Sequence, residues 1–378
     1  MSTQTSTADE RIGIRTSGRF VLSRPHGTVV ASGVRQQFTD AVDAIDALRS
    51  GAADTVVGAV PFAAGAPCAL ASPEKICFTT DRWTPPSAPR PLPVFVVDEL
   101  RECEHLDRVR TAVDVLRSDG NPLDKVVLAR TLSLRAERPV DPETVLAALV
   151  SNTPSGNGYL VDLDAAGGGH VGKTLVGSSP EVLIRTRGRV VTCHPLAGSA
   201  PRHPDPRVDD EHGRSLARST KDRREHAFVV DAIRTALTPF CTVLDIPDTP
   251  SLTTTPQLWH LGTPISGELK DPSVTSLELA VALHPTPAVC GTPTELAYAT
   301  IDELEGDRGF YAGAVGWSDG RGDGEWMVAI RCAEIDGSAG RITAYAGGGI
   351  VAESDPDTEL QETNVKFGTV LGALGVTL

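Results

Sequence analysis

The stretch DPDTELQETNVKFG, Asp355 to Gly368, sets Glu359, Glu362 and Lys366 at i, i+3 and i+7. If residues from about 357 to 374 form a helix, all three share one side, and Val365, Leu371 and Leu374 are available for an apolar side. Charge runs of this kind are commonly solvated faces, so the stripe carries chemistry only if other groups converge on it. A second acidic pair, Asp222 and Glu225, has the same spacing at the start of a helical stretch, KDRREHAFVV. It reads either as ordinary complementarity to the helix dipole or as half of a metal site. Two such pairs could hold one hard divalent cation through oxygen, which suits magnesium bridging to an anionic substrate.

Proton-transfer groups are also present. Lys125 sits inside the apolar run DKVVLAR, where burial favours a neutral amine able to act as a base; the bland alternative is an edge lysine discouraging strand pairing. Glu181 follows GSSP at the start of a strand; a partly desolvated carboxyl there would keep its proton and could act as an acid, although taken alone an exposed hairpin residue is the favoured reading. Arg331 interrupts the apolar run WMVAIRCAE, which predicts either an internal ion pair or a substrate carboxylate as its partner. Lys366 could add a second anion contact. His260 and His284 are each ambiguous, because a core histidine satisfied by one backbone carbonyl is commoner than a catalytic one.

These residues need elements to hold them. The pattern predicts helices over 38–51, with Thr39 as N-cap and Gly51 as C-cap, and over 99–118, 141–152, 221–238, 273–283, 293–304 and 357–374. Strands are expected over 54–62, 124–136, 158–164, 173–178, 311–318, 325–335 and 341–347, with a hairpin over 181–198 turning at Arg187-Gly188. Antiparallel-looking groups of strands broken by helices, without a regular βαβ rhythm, predict an α+β fold. Residues 1–12 read as a disordered tail and 13–378 as a single catalytic domain, with TPPSAPRPLP (84–93) too short to prove a boundary.

The totals exclude several classes. A net charge of −14 over 378 residues, with no basic block, argues against nucleic acid. No glycine loop suits a nucleotide: GGGIV lacks the GxGxxG spacing, and GSSPE is not a GxSxG elbow. The 7 cysteines are scattered without zinc-type spacing, which fits reduced thiols. A polar start without an apolar core, and no span-length segment, predict a cytoplasmic protein with no membrane partner.

From about residue 120 onward the blocks DKVVLAR, GSSPEVLIR, HPLAGSA, KDRREHAFVV, LWHLGTPISGEL, SLELAVALHPTPAVCGTPT, YAGAVGWSDGRGDGEWMVAIRCAE, YAGGGIV and DTELQETNVKF occur in order. The chain thereby resembles the chorismate-utilising enzymes, and within them isochorismate synthases. Residues 101–378 carry the motifs, and 13–100 match only loosely. The resemblance implies large antiparallel sheets packed as a sandwich with helices outside. It implies that Lys125 is the general base for water attacking C2 of chorismate and Glu181 the acid for the departing C4 hydroxyl. It further implies that His260 lies close to the reacting ring and that Mg2+ is held by Glu225 and Glu362 with Glu359 nearby. Gly198, Ser199, Ala288, Tyr311, Arg331, Gly347 and Lys366 fall at substrate-contact positions.

Ala197 stands where aminodeoxychorismate synthases have a nucleophilic lysine, so that reading is disfavoured. The PTPAVCG block differs from that of the glutaminase-dependent anthranilate enzymes, so no amidotransferase partner is expected; the sequence does not show the oligomeric state, and a monomer is one possibility. Ala288 replaces the threonine typical of salicylate synthases and favours stopping at isochorismate, whereas Tyr311 is shared with those lyases. The resemblance leans towards 2,3-dihydroxybenzoate and catecholate siderophore supply over menaquinone.

Overall fold

A computed structural model of the chain describes residues 18–88 and 90–377. The tail expected over 1–12 lies outside the described residues.

The β-branched run from Lys125 to Ala136 forms the longest strand, and Arg341–Ile350 pairs antiparallel with it over ten positions. Around these two grows a ten-stranded sheet that includes Cys332–Asp336, Lys173–Gly177, Gly158–Asp162 and the N-terminal Phe20–Arg24. A nine-stranded sheet contains the Val182–Arg187/Val190–His194 hairpin, Gly324–Val328, Ala314–Asp319 and Thr55–Val60. The two sheets face one another across a core that joins Phe20, Leu22, Val126 and Leu128 to Val56, Ile184, Trp326 and Met327. Helices cover the outside. On the first sheet, Leu132, Leu134 and Ile342 meet Leu146 and Leu149 of the helix Pro142–Asn152 and Phe367, Val370 and Leu371 of the helix Pro356–Leu374. The helices Thr220–Leu237 and Ser276–Leu283 lie against each other on the side of the second sheet. This is the expected α+β sandwich.

Local chemistry departs from expectation in places. The first helix, Ala41–Ser50, is capped by Asp40, whose carboxylate accepts from Val42 N–H at 2.8 Å, and not by Thr39. Its C-terminal Gly51 is left-handed as expected. The run 325–335 is two strands, Gly324–Val328 in one sheet and Cys332–Asp336 in the other, because Arg331 adopts φ 53 and the chain changes sheets there. A small third sheet formed by Leu196–Pro201, Leu258–Gly262 and Ser251–Thr254, and the helix Pro206–Arg218, were not anticipated: their short polar segments carry little periodicity. On the C-terminal helix the apolar side is Phe367, Val370, Leu371 and Leu374, while Val365 stays half-buried outside that core. All seven cysteines are free thiols, and among the described residues no helix is long and apolar enough to cross a membrane.

Candidate active site

Two crossings between the sheets build the site. The chain passes from Lys173–Gly177 to Val182–Arg187 through Ser178–Glu181, and from Gly324–Val328 to Cys332–Asp336 through Ala329–Arg331. The crossings are tied together: Ser178 N–H donates to the Arg331 carbonyl at 3.1 Å, and Val328 N–H donates to the Glu181 carbonyl at 3.2 Å. Glu181 and Arg331 therefore line one cavity of about 110 Å³.

Glu181 is 4 % exposed. Burial pushes its carboxyl up to about 7, against the opposing pull of the Leu196 backbone and of Lys125, Arg331 and Lys366. Arg331 is 6 % exposed, and among the described residues no protein hydrogen-bond acceptor meets its guanidinium. A buried guanidinium in that state can receive an anion, and among the described residues it forms no internal Arg–Glu pair.

Lys125 opens the longest strand and is 1 % exposed. Its ammonium lies behind the cavity wall, donating to Glu225 at 2.7 Å. An edge lysine would be solvated; this one is not. Glu225 and Asp222 enter from the first turns of the Thr220–Leu237 helix, which Ser219 caps by accepting from Asp222 N–H at 3.2 Å. From the C-terminal helix, Glu359, Glu362 and Lys366 all face the cavity, as the i, i+3, i+7 spacing requires. Lys366 donates to Glu362 at 2.5 Å and to the Gly347 carbonyl at 2.7 Å, which fastens the helix to the strand beneath.

The remaining predicted positions also converge. Gly198 has φ 80 and sits at an irregularity in the pairing of Leu196–Pro201 with Leu258–Gly262, where Ser199 lies opposite His260. A Cβ at Gly198 would stand 3.0 Å from the Asp222 side chain, so only glycine serves both turn and approach. His260 is buried, its Nε2 has no partner, and burial followed by Arg331 and Lys366 pushes it down to about 3. It is a neutral imidazole here. Tyr311 stacks on Tyr345 with centroids 5.1 Å apart, and a Cβ at Gly347 would stand 2.8 Å from the Tyr311 hydroxyl. Ala288 and Ala197 line the same space. His284 does not: its Nε2 lies 3.1 Å from the Phe62 carbonyl, the ordinary core arrangement.

Sequence reasoning passed over Gly349, where a Cβ would lie 2.8 Å from Lys125 Cε and 3.0 Å from a Glu225 oxygen. Three consecutive glycines inside a strand pattern were the available signal, since glycine there marks close approach.

The carboxylates are not gathered as a finished metal cage. Among the described residues no group of three or more His, Cys, Asp or Glu side chains stands in a metal-holding arrangement. The reason is electrostatic: Lys125 takes Glu225 and Lys366 takes Glu362. The donors nonetheless fit a hard cation. They offer only oxygen, and Glu359 Oε2 is buried with no partner. Burial and then the neighbouring Glu362 push Glu359 up to about 7. For Glu362 burial acts upward, but Lys366, Lys221 and Arg331 outweigh it and hold the carboxyl below its usual value.

A fold of two packed antiparallel sheets with a cationic and carboxylate-lined cavity at their crossings defines a class, and the comparisons agree. Residues 75–375 match the family model described as chorismate binding enzyme. The chain belongs to that family. It is 49 % identical, over 94 % of its length and 96 % of the relative's, to a Mycobacterium tuberculosis protein provisionally named isochorismate synthase MenF. It is 40 % identical to isochorismate synthase DhbC of Bacillus subtilis, covering 95 % of this chain and 94 % of that one. A crystal structure from Bacillus anthracis, provisionally described as a 2,3-dihydroxybenzoate-specific isochorismate synthase, DhbC, superposes with a TM-score of 0.85 at 37 % identity, covering 97 % of this chain and 98 % of that one.

Proposed function

We infer that the chain is an isochorismate synthase, an isomerase that moves a hydroxyl from C4 to C2 of chorismate. The observation carrying this reading is a carboxyl raised to about 7, Glu181, lining the same cavity as Glu225, to which Lys125 donates from behind the wall at 2.7 Å. Acid and base must start in opposite protonation states, and a carboxyl near 7 can hold a proton where an ordinary one cannot. Lys125, as the free amine, takes a proton from a water whose oxygen bonds to C2. The ring double bonds shift along, the C4–O bond breaks, and Glu181 donates the proton that lets the oxygen leave as water. Atoms balance, no redox partner is needed, and the reverse reaction uses the same groups with exchanged roles. Catalysis rests on positioning and on matched proton transfer.

Arg331 and Lys366 grip the substrate carboxylates, the neutral His260 donates or accepts a hydrogen bond without changing charge, and Gly198, Ser199, Ala288, Tyr311 and Gly347 shape the walls. Glu225, Glu359 and Glu362 would hold Mg2+, which when bound would anchor and neutralise a carboxylate of the substrate. Ala288 carries no hydroxyl to assist pyruvate elimination, which supports isochorismate as the released product.

The reading extends to supply of 2,3-dihydroxybenzoate for a catecholate siderophore, supported by the description of the Bacillus anthracis neighbour. We take residues 13–378 as one cytoplasmic catalytic domain, working as a monomer without a glutaminase; one core continuous across both sheets supports the single unit. Incubating the protein with chorismate and Mg2+ and separating products tests the function. Isochorismate alone is expected; salicylate with pyruvate, an aminated product with added ammonia, or no product would overturn the reading.

A further inference from the structure

A second cavity, about 440 Å³ in volume, lies on the far side of Arg331 from the acidic end of the site. It shares Pro180, Leu196 and Arg331 with the catalytic cavity, so these side chains are a common wall. The two chambers differ in charge. The catalytic cavity reaches the surface beside the exposed Lys221 and carries Asp222, Glu225, Glu359 and Glu362. Among the described residues no carboxylate lines the second chamber; its charged lining groups are Arg202 and Arg331, amid neutral polar side chains such as Asn157, Ser178 and Thr254. Arg202 is spoken for by Asp209 at 2.7 Å, whereas among the described residues the Arg331 guanidinium has no protein acceptor.

We propose that this chamber is the substrate's way in: an anion-accepting vestibule for a small dicarboxylate, separate from the acidic mouth that suits a divalent cation. In a chain of net charge −14, a dianion approaching the carboxylate end is repelled, while one in the vestibule meets the buried Arg331, whose guanidinium meets no acceptor among the described residues. Arg331, in the shared wall, receives the anion and hands it to the catalytic side. The inference rests on the chorismate reading and adds the route and the side from which the substrate arrives.

Thr254 is exposed at the vestibule and outside the catalytic cavity, so its charge can be altered without touching the machinery. Stopped-flow intrinsic fluorescence should show chorismate associating about fivefold more slowly with Thr254→Glu and about fivefold faster with Thr254→Lys at low salt. The two rates should converge at about 0.5 M salt, where screening reaches only a few ångströms. Thr242→Glu, exposed on the Cys241–Asp245 strand and outside both cavities, should match wild type. Unchanged rates in both Thr254 variants, or a loss in both, would overturn the vestibule. Equilibrium dialysis separates the two failures: no chorismate retained by wild type removes the chorismate reading and this one with it, whereas retained chorismate with unmoved rates removes the vestibule alone.

Discussion

Ser178 N–H donates to the carbonyl of Arg331 at 3.1 Å, joining the two places where the chain leaves one sheet for the other. Together with the Val328 N–H bond to the Glu181 carbonyl at 3.2 Å, this bond places Glu181 and Arg331 on one wall. Its geometry underlies the first two expectations.

Glu181→Gln should lower turnover on chorismate by about a thousandfold, within the range general acids contribute, while circular dichroism shows an intact fold. Lys125→Ala should do the same for the base. Wild-type rates in either variant would remove that residue from its role.

The pH dependence follows from the raised carboxyl. Glu181 holds its proton below about 7, so kcat/KM in the chorismate direction should fall as pH climbs past that value, and the fall should vanish from the residual rate of Glu181→Gln. Stability carries the same sign. A carboxyl raised from 4.5 to about 7 by folding contributes stability present below 4.5 and lost as pH rises through about 7. Glu181→Gln should therefore melt above wild type at pH 8, with the gap closing at pH 5. A gap that widens towards acid would contradict the assignment.

Gly349→Ala places a methyl 2.8 Å from Lys125 Cε and 3.0 Å from a Glu225 oxygen. Because it displaces the base and a carboxylate together, kcat should drop about a hundredfold with the protein still folded. Gly169→Ala, where a Cβ meets nothing within 4 Å and which lines neither cavity, is the control and should retain activity.

Arg331→Lys keeps the charge but loses the planar fork, and φ 53 is unchanged in kind for either residue. The Michaelis constant should rise about 10- to 100-fold, in keeping with loss of a charge-assisted contact. Steady-state kinetics decide it; an unaltered constant would mean the carboxylate is held elsewhere.

Glu359 supplies a buried oxygen without a partner. Saturating Mg2+ should raise the melting temperature of wild type, since a ligand bound only by the folded state stabilises it. Glu359→Ala should remove most of that rise. Equal rises in both proteins would exclude Glu359 as a ligand.

Residue types and short-range spacing determined much of this protein. Helical period alone placed Glu359, Glu362 and Lys366 on one face, and an apolar strand pattern around Lys125 left burial and an edge position both open. The ordered motifs added which chemistry such groups perform. Other features depended on contacts between distant segments and were invisible to local pattern. Periodicity could not reveal that 325–335 breaks at Arg331 to change sheets, because both halves are equally apolar. Nor could it reveal that Lys125 finds Glu225, one hundred positions away, or that Gly349 must lack a side chain to let them meet. Local sequence fixes conformation and burial through backbone sterics and solvation. Convergence of charges from different strands and helices is settled only when the sheets pack, since only then do their separations, and so their energies, take definite values.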